Sequence, residues 1–135
     1  VVRNIHAVSL SGSGDAFFKN GLNANKLDIS VSGSGDVNGK IDTQWLNCQI
    51  SGSGDMRMSG HAQNANVRIS GSGNFSARDL ATAVTAIQVS GSGDASVNVS
   101  QRLDARVSGS GDIGYTGAVR QVSSSKSGSG DIHRI

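Results

Sequence analysis

The sequence predicts an all-β fold, a single-stranded parallel β-helix (β-solenoid) of about seven coils with ~19 residues each. Three observations carry that reading. The string Ser-Gly-Ser-Gly-Asp starts at Ser11 and returns at Ser32, Ser51, Ser70 (with Asn74 in place of Asp), Ser90, Ser108 and Ser127, with spacings of 21, 19, 19, 20, 18 and 19 residues. A fixed period near that length marks stacked repeats and is too short for propeller blades. Around each corner, 29 of the 35 positions in phase with the preceding residue are apolar, whereas the 21 interleaved positions hold only Ala7, Phe17 and Ala86 as apolar residues. Period-two alternation means strands with one buried face, which excludes both a helix and a flexible linker. Finally, turn dipeptides follow the corners at Asn20-Gly21, Asn38-Gly39, Ser59-Gly60 and Thr116-Gly117. Each coil is therefore expected to hold two or three short strands joined by tight turns.

The coils follow in order. Val8 and Leu10 lead into the first corner and Ala16 leaves it. Leu27, Ile29 and Val31 then lead to Val37, and Leu46, Cys48 and Ile50 lead to Met56. Val67 and Ile69 precede Phe75, Ile87 and Val89 precede Ala95, and Ala105 and Val107 precede Ile113. The last coil breaks the pattern, with Ser124 and Lys126 in the inward phase before Ile132. A terminal coil lacks a neighbour, so polar residues there protect a sticky edge. At the other end His6 replaces the usual Leu. The chain starts at Val1 and carries no signal peptide, so an upstream leader or opening coil is expected, and residues 1–135 read as one domain.

The corner residues are structural candidates. They comprise the first glycines (Gly12, Gly33, Gly52, Gly71, Gly91, Gly109, Gly128) and the second (Gly14, Gly35, Gly54, Gly73, Gly93, Gly111, Gly130). Each corner closes on Asp15, Asp36, Asp55, Asn74, Asp94, Asp112 or Asp131. Both glycines fall in the inward phase, where a side chain would not fit or φ is positive. The serines and the closing residue point outward. A column of carboxylates at ~4.8 Å spacing is repulsive, so the Asp side chains are expected to accept backbone N–H groups as Asx-type caps. Asn74 fits that role, because an amide oxygen accepts equally well. Calcium-binding β-rolls place Asp two residues after the last Gly, not directly after it. Ice-binding faces favour Thr over Ser.

Other constellations point nowhere specific. The net charge is +2 and aromatics make up 4%, which gives no basis for nucleic-acid binding. No apolar run reaches membrane-spanning length. Gly109–Gly114 matches G-x-G-x-x-G, but another turn follows where a nucleotide site needs a helix. His6, His61 and His133 occupy different positions in the repeat, so no metal or cofactor site is expected. The lone Cys48 excludes an internal disulfide and shares the column of Ile29 and Val67, where a buried, unreactive thiol is expected. Trp45 marks a third corner and is read as a packing residue in preference to a sugar platform. Arg102, Arg106, Arg120, Lys126 and Arg134 read as a solvated, weakly basic C-terminal end.

The corners, best displayed by Leu27–Val37 and Leu103–Ile113, resemble the bacterial envelope family called "putative auto-transporter adhesin, head GIN domain", over almost the whole chain. The resemblance implies a right-handed parallel β-helix, export, and residence in the periplasm, at the outer membrane or on the cell surface. It brings no catalytic residues. The expected function is a non-enzymatic envelope module presenting outward ladders to a surface glycan or envelope protein. A module that self-associates end to end as a homo-oligomer is the alternative. A polysaccharide-processing enzyme ranks third, because every outward Asp column is explained by the turn.

Overall fold

The computed structural model describes the backbone of residues 7–12 and 16–135, with side chains from residue 26 onward. Among the described residues nine strands form one parallel sheet that winds on itself: β1 (Ala7–Gly12), β2 (Ala16–Gly33), β3 (Val37–Gly52), β4 (Asp55–Gly71), β5 (Asn74–Gly91), β6 (Ala95–Gly109), β7 (Asp112–Thr116), β8 (Gln121–Ser127) and β9 (Asp131–Arg134). Strands β1 to β6 pair in sequence order. The first part of β6 pairs with β7 and its second part with β8, while β9 starts the next layer on β7. There is no helix among the described residues. Every pairing joins residues about one repeat apart, which makes the molecule a β-solenoid. The seven corners bracket about six full turns, with β1 and β9 as partial coils, one fewer than the seven-coil reading.

The coils are not built from separate short strands. Each of β2 to β6 is a continuous run of 15 to 18 residues, and only the β7–β8 coil is interrupted. The physical reason is that neighbouring coils bend at the same place. Their N–H and C=O groups therefore still meet across the bend, and the ladder continues through it. The turn glycines differ accordingly. Gly60 and Gly117 adopt φ of 110° and 106° and Gly39 does not adopt a positive φ, although Gly39 and Gly60 both pair in the ladder.

Alternation places the core. Val31, Ile50, Ile69, Val89 and Val107 stack in one inward column, and Ile29, Cys48, Val67, Ile87 and Ala105 in another. Full burial of one such aliphatic side chain contributes about 1.5–3 kcal/mol. Residue size varies along a column, as where Phe75 lies between Met56 and the small Ala95. Variation in coil length is absorbed away from the Ser-Gly corners. The register shifts lie between Phe18 and Leu22, Arg57 and Ser59, Ala77 and Ala81, and Thr82 and Val84. At the last of these the buried Thr82 and Thr85 hydroxyls lie 2.6 Å apart, and Thr82 also donates to the Asn98 carbonyl at 2.7 Å. Spacing can thus range from 18 to 21 residues while every described Ser-Gly corner stays in register.

Candidate functional site

Among the regions of the described surface that carry polar side chains in columns, two bear on function, and the sequence motif lies in the first. At the corner, the two glycines do different work, which corrects the reading that both point inward. The first is exposed and turns the chain with φ between 85° at Gly12 and 111° at Gly109. Its positive φ lets Ser-Gly-Ser face solvent as a unit, for example Ser51, Gly52 and Ser53. The second is buried, as at Gly35, Gly54, Gly73, Gly93, Gly111 and Gly130. A Cβ on Gly54 would lie 2.8 Å from Val31 Cγ1 and run into the Gly35 carbonyl, so bulk is what excludes a side chain there. Gly14 and Asp15 lie outside the described residues.

The closing carboxylates accept backbone N–H groups, but from the following coil instead of their own turn. Asp36 Oδ1 accepts from Asp55 N at 3.1 Å, Asp55 from Asn74 N at 3.2 Å, and Asn74 from Asp94 N at 3.2 Å. Asp94 accepts from Asp112 N at 3.2 Å, and Asp112 from Asp131 N at 3.0 Å. The ladder thus stitches coil to coil, and Asn74 continues it through its amide oxygen. Asp131 accepts instead from Ile132 N at 3.0 Å, and Lys126 Nζ sits 3.4 Å from the same oxygen. Lys126 stands at the end of the Val107 column, exposed along with the rest of β8. This column is occupied with holding coils together.

The second region is the outward side of the segment leading into each corner. Four columns lie there side by side. Lys26, Trp45, Asn64, Val84 and Arg102 form the first, and Asp28, Asn47, Asn66, Ala86 and Asp104 the second. Ser30, Gln49, Arg68, Gln88 and Arg106 form the third, and the corner serines Ser32, Ser51, Ser70, Ser90 and Ser108 the fourth. Trp45 does mark a third bend, because Gln44 and Trp45 both face solvent where alternation would bury one. It is not a packing residue. At 57% exposure it leaves most of its ring in water at the edge of this face. Asn47 Nδ2 donates to Asp28 Oδ1 at 2.8 Å, tying two rungs together. Two shallow depressions, of about 320 and 150 Å³, adjoin on this face and share Asn66 and Arg68.

Cys48 is buried behind the first depression, and burial, with a smaller contribution from the Asp28 carboxylate, pushes its thiol pKa well up, so the sulfur stays protonated and inert. His61 is exposed and unclustered, and His133 Nδ1 lies 4.0 Å from Asp131 Oδ2 at the exposed end. His6 lies outside the described residues. Among the described residues no three potential metal ligands gather, and no helix is long and apolar enough to cross a membrane. The Gly109–Gly114 stretch runs from a corner into β7, not into a helix. The sequence reading passed over Arg68 and Arg106 as a pair. Each stands two residues before a corner serine, so the shared position was available in the spacing.

Comparison with known proteins gives the same architecture. The sequence profile of the family described as "Putative auto-transporter adhesin, head GIN domain" matches residues 1–119. A crystal structure described as a putative adhesin from Bacteroides fragilis NCTC 9343 superposes with TM-score 0.92 at 37% identity, over 96% of this chain and 60% of that one. One described as a putative lipid binding protein from Parabacteroides distasonis ATCC 8503 gives 0.92 at 32%, over 96% and 52%. A second P. distasonis structure, described as a putative adhesin, gives 0.94 at 28%, over 98% and 56%. The chain thus spans between 52% and 60% of the length of these solved proteins. No curated protein matches it.

Proposed function

The chain belongs to the family of putative auto-transporter adhesins with a head GIN domain, and from that premise we propose that it is a non-enzymatic, exported module of the cell envelope or cell surface whose flat four-column face contacts a surface glycan. The observation that carries the reading is an asymmetry between the two polar regions. The carboxyl and amide oxygens of the corner column accept backbone N–H groups, whereas the flat face leaves Trp45, Gln49, Arg68, Gln88 and Arg106 open to solvent. A rigid platform with an exposed indole and rows of amides suits the ring faces and hydroxyls of sugars. Catalysis would need groups aimed at one reacting atom, and a flat face spreads its groups along the axis instead. The lipid-binding description of one neighbour finds less support, since charged Asp28, Arg68, Asp104 and Arg106 stand in the lining of the two depressions.

End-to-end self-association ranks second. Ser124 and Lys126 stand exposed in columns that are apolar in the preceding coils, and they offer a poor stacking surface. A glycan array probed with the chain and with Trp45→Ala tests the main reading. Saturable binding that Trp45→Ala removes is expected. Binding to no glycan, or release of shortened sugar products, would overturn it.

A further inference from the structure

We propose that the flat face binds an anionic polysaccharide laid along the solenoid axis, with Arg68 and Arg106 each holding an acidic group two coils apart. This deepens the glycan reading above and rests on it. The register Arg68↔Gln88↔Arg106 puts the two guanidinium groups on alternate rungs of one column. With coils stacked at ~4.8 Å, their anchors lie about 10 Å apart, close to the length of a disaccharide in an extended chain. An acidic group repeating once per disaccharide would meet both.

The charges are free to be used. Neither arginine has a hydrogen-bond or ion-pair partner among the described residues. Their neighbours along the column are Gln49 and Gln88, which are neutral, so no carboxylate in that column compensates them. Asp104 lies in the adjacent column and forms no ion pair with either. Asp28, the other carboxylate on the face, accepts from Asn47. Lys26 and Arg102 add positive charge in the Trp45 column. A guanidinium fork matches a carboxylate or sulfate with two parallel hydrogen bonds.

The shape fits a linear occupant. The two depressions meet at Asn66 and Arg68 and make one shallow trough running along the axis, with the small Ser30 and Ala86 in its lining. The intervening Gln88 can bond sugar hydroxyls between the acidic groups. Single-stranded nucleic acid is a poorer match, because successive bases need a run of aromatic platforms and this face has one.

The test is a binding titration with oligogalacturonate and dextran sulfate, beside methyl-esterified oligogalacturonate and plain dextran. Arg68→Gln/Arg106→Gln is the informative variant, since Gln already occupies alternate rungs of that column. Lys40→Gln/Arg78→Gln removes the same charge elsewhere, from exposed positions. The proposal expects at least one acidic polymer to bind about 10-fold or more tightly than its uncharged counterpart. It expects the face variant to lose about 10-fold or more and the control no more than about 2-fold. Equal losses in the two variants would reduce the effect to net charge and overturn the proposal, as would failure of both acidic polymers. If neutral glycans bind in a Trp45-dependent way and the arginine variant is silent, the anionic site falls and the glycan reading stands. If no glycan of either kind binds, both fall.

Discussion

The corner column and the flat face are both ladders of outward polar residues on the same coils, yet they differ in what their groups do. From Asp36 to Asp131 the closing residues of the corner are Asp in every coil but that of Asn74, and all engage the backbone. Along the third column of the face, the residue changes at every rung, from Ser30 to Gln49, Arg68, Gln88 and Arg106. Regularity in a solenoid reflects a demand repeated by each coil. Departure from it, with exposed and unpartnered side chains, marks positions that stacking does not dictate. The most conspicuous motif of this sequence is therefore scaffold, and the candidate site lies beside it.

That division can be broken most forcefully at the buried glycine. Gly73→Ala would press a methyl group into the Gly54 carbonyl and within 2.5 Å of Ile50 Cγ2. A loss of roughly 2–3 kcal/mol in denaturant unfolding is expected, and an unchanged midpoint would contradict the steric role of the second glycine. The buried thiol comes next. Cys48 has a folded pKa raised above its unfolded value by burial, so its contribution is complete below the unfolded value of about 8.5 and is lost as pH rises beyond it. Unfolding followed against pH should show stability falling by up to about 1.4 kcal/mol per unit in that alkaline range. Cys48→Ala should remove that component of the slope.

The corner carboxylates give a smaller effect. Asp55→Ala removes the acceptor of the Asn74 N–H, which water can partly replace, so a loss of no more than about 1 kcal/mol is expected. Asp55→Asn should retain most of it, as Asn74 does in its own coil. A large loss in Asp55→Asn would mean that charge, not the hydrogen bond, matters there. The smallest effect on folding belongs to the face. Trp45→Ala should move stability by less than about 0.5 kcal/mol, since the ring is mostly in water. A greater loss would return Trp45 to the scaffold and blur the comparison.

Much of the fold was legible because the period-two pattern fixes which side of each residue is buried, and Cys48 sits between Ile29 and Val67 as alternation places it. The corner glycines were located but not told apart, because backbone dihedral and packing clearance both select Gly and leave the same letter. The Asp partners were half legible. A carboxylate's appetite for N–H groups follows from chemistry, whereas the choice of the next coil depends on inter-coil distance. Trp45 was misread because an aromatic residue next to a bend satisfies the same pattern whether its ring turns inward or outward. Arg106 was hidden among basic residues counted by region and Arg68 was not singled out, until register placed the two in one column.

The most direct measurement is a paired titration of the chain and of Trp45→Ala/Arg68→Gln/Arg106→Gln against the acidic oligosaccharide, each preparation followed through denaturant unfolding. Coincident unfolding midpoints are expected, with binding lost only in the variant. Binding that survives the three substitutions, or a variant that unfolds well before the parent, would contradict the division between a self-satisfied corner and a ligand-ready face.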